Sequence, residues 1–99
     1  MIVSFDAQAT EDVYNGKNTK AARSCCPRTI WSVAQRKLDQ LDSSTEIVDL
    51  RIPPGNRLEK LGGDREGQHS IRIKDQYRIC FVWTEAGPKN VEILSLIHI

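Results

Sequence analysis

Two short runs of alternating apolar and polar residues near the C-terminal end constrain the fold of this chain most. In residues 68–74, Ile71 and Ile73 alternate with polar and basic side chains. In residues 77–84, the large apolar groups again fall on every second position: Tyr77, Ile79, Phe81 and Trp83. A period of two is typical of a strand with one buried face, and two strands joined by so short a connection form a hairpin. The pattern therefore predicts an antiparallel hairpin.

The register of this hairpin follows from the same pattern, because a slip of one residue moves every side chain to the opposite face. A two-residue turn at 75–76 would mix the apolar groups of the second strand with Arg72 and Lys74. A three-residue turn at 74–76 pairs Ile73 with Tyr77 and Ile71 with Ile79, which gathers the large apolar groups on one face. We therefore predict the second register, which places Arg72 opposite Arg78 on an open, solvent-facing side.

Two like charges opposite one another in a sheet cost up to about 1 kcal/mol, so this arrangement favours an anion between them. Arg65, in a glycine-flanked loop before the hairpin, can reach the same face. A guanidinium suits an anion site because its planar fork binds phosphate oxygens in pairs and keeps its charge. The alternative is that the arginines extend into water or pair with nearby acids (Glu66, Asp75 or Glu92).

The N-terminal part of the chain predicts one strand and two helices. Residues 1–5 are short, apolar and β-branched, which favours a strand. Asp6 is the expected N-cap of a helix over 7–15, with Gly16 as its end. Pro27 fits the first turn of a second helix. An apolar stripe with helical spacing follows it: Ile30, Ala34, Leu38 and Leu41, with Trp31 beside them.

The remaining segments read as connections and one further strand. Residues 43–45 and 53–55 are turns around a weakly structured segment, 46–50, and residues 51–67 are loop-like, with some helical character at 56–61. The cluster at 85–88 turns the chain into a last strand from Lys89. We therefore predict an α+β fold in which two N-terminal helices pack on a small, curled, mainly antiparallel sheet. At 99 residues, the chain 1–99 is expected to be a single domain.

Charge is segregated along the chain, although the net charge is only +1. Residues 13–38 contain six bases and no acid, and residues 39–50 contain four acids and no base. Such a chain can present a local positive surface to an anionic polymer, or simply a solvated helix face. The sequence has no apolar run of about 18 residues and no basic-then-apolar leader, so we expect a cytoplasmic protein that does not engage a membrane.

Other chemistry is weakly signalled. Cys25, Cys26 and Cys80 lack the spacing of a metal site, so they are read as reduced thiols, and no metal or cofactor is expected. His69 falls on the core side of its strand, which favours a structural histidine over a catalyst. His98 is the second histidine of the chain.

Several sequence elements resemble HigB-type toxins of the RelE/ParE superfamily. They are the opening Met-Ile-Val-Ser-Phe, the segment 53–73 with its central Gly-Asp-Arg-x-Gly, and the run Asp-Gln-Tyr-Arg-Ile-Cys-Phe-Val-Trp at 75–83. The resemblance extends from Met1 to about Ile93 and is weakest between residues 18 and 28.

This resemblance implies a fold of the microbial ribonuclease type and a growth-inhibiting toxin of a type II toxin–antitoxin system. It further implies a metal-independent endoribonuclease that cuts mRNA on the ribosome, and a helix-turn-helix antitoxin of the HigA type as partner. Arg78 and Arg65 match the arginines of the family's strand and loop, so the resemblance assigns them to phosphate binding and catalysis. It also suggests four RNA contacts: Arg72, Lys60, Arg57 and Lys74.

Two departures from the family pattern concern activity. Gly62 stands where many relatives have a lysine. Relatives commonly end in Val-Asp-Tyr-His after the segment that matches 91–93, whereas this chain continues differently over 94–99. His98 is the candidate for proton transfer there, and it would need a one-residue bulge to reach the family's position. Two alternatives to an active toxin stay open: an impaired relative that binds antitoxin or RNA without cutting, and a gyrase inhibitor of the ParE branch.

Overall fold

The computed structural model describes residues 1–74 and 76–95 and confirms the α+β class. Three helices precede a four-stranded antiparallel sheet in the order β1-β2-β3-β4. The helices are α1 (Gln8–Tyr14), α2 (Lys20–Cys25) and α3 (Trp31–Ser43). The strands are β1 (Glu59–Lys60), β2 (His69–Lys74), β3 (Tyr77–Thr84) and β4 (Gly87–Ser95).

Both expected helices are present, and their packing follows the apolar stripe. Ile30, Ala34, Leu38 and Leu41 are all buried, and they meet Ile71, Ile79, Phe81 and Ile93 from the sheet. Burying a side chain of this size contributes about 1.5–3 kcal/mol, so this contact is the main stabilising layer. Gly16 has a φ of 72° directly after the C-cap of α1, which confirms it as the residue that ends this helix.

Two expectations for the start of the chain are wrong. Residues 1–5 do not form a strand of the sheet: Phe5 makes a single parallel bridge to Val91. The ladder cannot extend because Pro88 has no N–H to donate and Asn90 has a φ of 54°, which bends β4 away. Asp6 is not the N-cap of α1: its N–H donates to the carbonyl oxygen of Val91, and it lies at a bend one residue before the cap. Ala7 is the N-cap, without a side-chain bond.

Helix α2 was not predicted. Thr19 caps it by accepting from the N–H of Ala22 at 3.1 Å, and the Thr19 hydroxyl donates to Asp12 Oδ2 at 2.8 Å. These two bonds connect α2 to α1. Because α2 has six residues and one buried side chain, Ala22, it carries too few positions to show a period in the sequence.

The expected helical character at 56–61 is wrong as well. A single 3-10 turn, Pro54–Asn56, ends at Arg57, which adopts a left-handed conformation with a φ of 46°. The chain then enters β1, which pairs with the start of β2. The 3-10 turn at Ile47–Arg51 agrees with the weak structure predicted around 46–50.

A buried amide fixes the connection that leads into β1. Asn56 donates through Nδ2 to Gln40 Oε1 at 3.0 Å and to the carbonyl oxygen of Leu50 at 3.2 Å. Its side-chain oxygen accepts from Lys37 Nζ. Partial burial lowers the pKa of Lys37. Since Gln40 and Lys37 belong to α3, these bonds attach the segment before β1 to the helical layer and so determine where β1 begins.

The hairpin register is confirmed in its main part. Ile71 lies opposite Ile79, and Arg72 lies opposite Arg78. The pairing of Ile73 with Tyr77 is wrong: a bulge between Arg72 and Lys74 shifts the register, and Lys74 faces Tyr77. The last strand begins at Gly87, two residues earlier than expected.

Candidate functional site

A transverse row of four side chains defines the sheet face that points away from the helices. Glu59 lies opposite Ser70, Ser70 opposite Cys80, and Cys80 opposite Glu92, one residue from each strand. Directly paired residues share a face, and neighbouring strands are about 4.8 Å apart, so two carboxylates flank a serine and a cysteine. We call this face, together with Arg78 and Arg65 beside the row, the arginine face.

Arg78 is buried on the arginine face, contrary to the expectation of a solvent-exposed side chain. Its side chain is 7% exposed. Nε donates to Ser70 Oγ at 2.8 Å, and Nη2 donates to the carbonyl oxygen of Arg57 at 2.7 Å. The reason is the segment before β1, whose backbone covers the guanidinium and accepts a hydrogen bond from it. Arg78 therefore joins three neighbouring parts of the chain: β3, β2 and the entry to β1.

One side of the Arg78 guanidinium is still open to a ligand. Glu59 Oε2 lies 3.8 Å from Nη2, which is an ion-pair distance but too long for a good hydrogen bond. Within residues 1–74 and 76–95, Nη1 has no hydrogen-bond acceptor, and it is not one of the buried side-chain atoms that lack a partner, so part of its surface is accessible although the side chain is 7% exposed. The guanidinium is thus held firmly by two of its nitrogens and can offer the third.

Arg65 reaches the same face, as the sequence predicted. It ends the 3-10 turn Gly63–Arg65, and its Nη1 donates to Glu92 Oε1 at 3.0 Å and to Gln68 Oε1 at 3.1 Å. The side chains of Arg65 and Glu92 are 26% and 17% exposed. Of the acids proposed as alternative arginine partners, Glu92 pairs with Arg65.

Cys80 lies on the same face of the sheet as Arg78 and directly opposite Glu92. Burial raises the pKa of the Cys80 thiol, Glu92 raises it further, and Arg65 and Arg78 act in the opposite direction. The fully buried thiol is therefore protonated near neutral pH and is not a nucleophile. Since Glu92 lies opposite Cys80 and pairs with Arg65, and Arg78 is two residues from Cys80 on the same face of β3, all four groups belong to one site.

The four expected RNA contacts do not all lie together. Arg72 is next to Arg78 on the arginine face and is half-buried, and Lys74 is exposed at the end of β2. Arg57 is exposed, and its carbonyl oxygen accepts from Arg78. Lys60 is paired with His69, so it faces the opposite side of the sheet. His98 lies outside the described residues.

His69 has the structural position that the sequence indicated, on the core side of β2. Its ring stacks on Phe81 with centroids 6.3 Å apart. Burial lowers the pKa of His69, with a smaller contribution from Lys60, so the ring is neutral. Its Nδ1 is buried without a hydrogen-bond partner. His69 also lines a cleft of about 290 Å³ with Ile47, Val48, Arg51, Leu58 and Lys60.

Sequence reasoning missed two polar members of the arginine face. Ser70 could have been found from the register, since it lies two residues before Arg72 and therefore on the same face. Glu92 was named only as one of three alternative arginine partners, and its place on this face follows from the pairing of β4 with β3. Glu59 could not have been found from the sequence, because a strand of two residues is too short to show an alternation of apolar and polar residues.

The α+β fold, with paired arginines on its sheet, is consistent with the fold of small RelE-like toxins. Residues 4–95 match the family described as the RelE-like toxin of the type II toxin-antitoxin system HigB, and the chain belongs to this HigB-like toxin family. Toxin HigB-1 of Vibrio cholerae serotype O1 is 48% identical over 64 residues, which cover 65% of this chain and 67% of that protein. An uncharacterized protein of Haemophilus influenzae is 42% identical over 65 residues, 66% of this chain and 64% of its own length.

Among the residues described, no helix is long and apolar enough to cross a membrane. Within those same ranges, no group of histidine, cysteine and carboxylate side chains has an arrangement that could hold a metal ion.

Proposed function

We propose that this protein is the toxin of a type II toxin–antitoxin pair and that it cuts mRNA on the ribosome in the cytoplasm. The observation that carries the proposal is the arginine face, where Arg78 lies on the same face of β3 as Cys80, and Arg65 pairs with Glu92, the residue opposite Cys80. Preorganised cations of this kind stabilise the charge that develops on a phosphorane. The proposal takes the whole of 1–99 as one catalytic domain, with a helix-turn-helix antitoxin of the HigA type as its partner.

The proposed reaction needs no metal. The 2′-hydroxyl attacks the adjacent phosphate, the phosphorus–O5′ bond breaks, and a 2′,3′-cyclic phosphate forms. Arg78 is suited to hold the reacting phosphate, because two of its nitrogens are fixed by Ser70 and Arg57 and its orientation is therefore set before RNA binds. Arg65 is suited to a second phosphate oxygen if it keeps its contact with Glu92 through one nitrogen. Arg72, Arg57 and Lys74 are proposed to contact the flanking phosphates, whereas Lys60 faces the other side of the sheet and is not included.

One observation favours a second candidate, a relative that binds without cutting. Both arginines have carboxylates as neighbours, Glu59 and Glu92, and these compete with phosphate. If the proton-transfer groups of the family's usual ending are required and His98 cannot replace them, the chain would bind antitoxin and RNA but cleave slowly.

The test is expression of the chain in cells that lack the antitoxin, with growth and mRNA ends recorded. We expect growth arrest and new 5′ ends at codons in the ribosomal decoding site, with no cleavage of the same mRNA in the absence of ribosomes. A version that ends in Val-Asp-Tyr-His after Ile93 is the comparison for the second candidate, and His98→Ala tests the tail directly. Growth arrest with intact mRNA and inhibited gyrase would refute the proposal and favour the ParE-type activity.

A further inference from the structure

The proposed cleavage leaves one chemical role without a residue. A group must take the proton of the 2′-hydroxyl as it attacks, and neither arginine can do so, because a guanidinium stays protonated at all relevant pH values. Among the described residues of the arginine face, the titratable groups other than arginine are Glu59, Cys80 and Glu92. The thiol of Cys80 is fully buried and its pKa is raised, so it is excluded.

The two carboxylates differ in how they are held. Glu92 Oε1 accepts a hydrogen bond from Arg65 Nη1 at 3.0 Å, and the Glu92 side chain is 17% exposed. This carboxylate therefore already serves to hold Arg65 in place. Glu59 is 57% exposed, and the 3.8 Å between Oε2 and Arg78 Nη2 leaves its lone pairs unengaged by a close hydrogen bond. An oxygen that accepts a proton must be reachable by the substrate, which favours Glu59.

The position of Glu59 also fits the attack geometry. It lies on the edge strand β1, directly opposite Ser70, and Ser70 Oγ accepts from Arg78 Nε. A phosphate held by the open nitrogen of Arg78 would therefore be within one side-chain length of the Glu59 carboxylate. The attacking 2′-hydroxyl is two bonds removed from the ribose carbon that carries this phosphate, so both can be engaged at once.

We propose that Glu59 is the general base of the cleavage, an inference that rests on the proposed function. Glu59 takes the proton from the 2′-hydroxyl, the 2′-oxygen forms its bond to phosphorus, and the bond from phosphorus to O5′ breaks. The departing O5′ takes a proton from a water molecule. The hydroxide left behind removes the proton from Glu59, which returns the carboxylate to its starting state.

The test measures cleavage and binding separately on programmed ribosomes. Glu59→Gln keeps the shape of the side chain and removes the base, and we expect the single-turnover cleavage rate to fall by about 10²–10⁴. Binding to ribosomes that carry an mRNA with a 2′-deoxy nucleotide at the cleavage position should stay within about threefold. The melting temperature should stay within a few degrees, because an exposed ion pair contributes only about 0–1 kcal/mol.

The matched control is Glu85→Gln, the same change at an exposed carboxylate in the turn between β3 and β4. It should cleave at the rate of the unmodified protein. Arg78→Lys tests whether the arginine face is the active site, independently of the role of Glu59. If Arg78→Lys abolishes cleavage while Glu59→Gln cleaves normally, the arginine face is the active site and Glu59 is not its base. If the unmodified protein and Glu85→Gln do not cleave at all, the proposed function itself is wrong.

Discussion

Replacing Arg78 with alanine tests whether this side chain stabilises the fold as well as the site. The change removes the hydrogen bonds that its guanidinium donates to Ser70 Oγ, to the carbonyl oxygen of Arg57 and, at 3.4 Å, to the carbonyl oxygen of Ser70. It leaves the Ser70 hydroxyl, which is fully buried, without its donor. Each buried polar group left unsatisfied costs about 1–3 kcal/mol, so we expect a loss of about 2–4 kcal/mol in the free energy of unfolding.

The assay is urea denaturation followed by circular dichroism, together with the melting temperature. For a domain of this size, such a loss corresponds to a decrease of roughly 10–25 °C in melting temperature. Lys89→Ala, at an exposed base in β4, is the control and should change stability by less than about 0.5 kcal/mol. If Arg78→Ala melts within about 3 °C of the unmodified protein, the hydrogen bonds to β2 and to the entry of β1 do not hold the fold, and the reasoning is refuted.

Three further changes have defined outcomes. Gly87→Ala should destabilise by about 1–3 kcal/mol in the same denaturation assay, because Gly87 has a φ of 127° and an added Cβ would lie 2.1 Å from the carbonyl oxygen of Met1; an unchanged midpoint would contradict this close approach. Hydrogen bonds from Gln8 and Thr19 lower the pKa of Asp12 below 3.8, so its contribution to stability is present above that pH and lost as the pH falls through the lower, folded value. Asp12→Asn should therefore flatten the stability profile between pH 2 and 5, and a profile parallel to that of the unmodified protein would argue against it. Ribosome binding should weaken linearly in log–log coordinates with salt if several phosphates are bound, whereas a flat response would exclude the basic contacts.

The sequence predicted the sheet well where the period of two applied. Ile71 opposite Ile79 and Arg72 opposite Arg78 followed from the need to place large apolar groups on one face. The register prediction failed at the bulge after Arg72, because the alternation of apolar residues does not reveal an extra residue at the end of a strand.

The burial of Arg78 could not be predicted, because it depends on a partner distant in sequence. The carbonyl oxygen that accepts from it belongs to Arg57, 21 residues earlier, in a segment attached to α3 by Asn56. Local alternation assigns a side chain to a face of the sheet, but only tertiary contacts decide whether that face is covered. The same limit hid Glu59, since β1 exists only as the partner of β2.

The parallel contact between residues 3–6 and β4 can form only after β4 has been translated. The N–H of Val3 donates to the carbonyl oxygen of Pro88, and the N–H of Val91 donates to the carbonyl oxygen of Ser4, so this contact joins residues more than 80 positions apart in the sequence. While the ribosome is still translating, the opening segment has no strand to lie against, and Arg65 has no Glu92 to anchor it. Because contacts so far apart in sequence form slowly and late, a nascent chain that stalls before codon 91 acquires neither contact. The ordered arginine face therefore becomes available only after Glu92 has been translated.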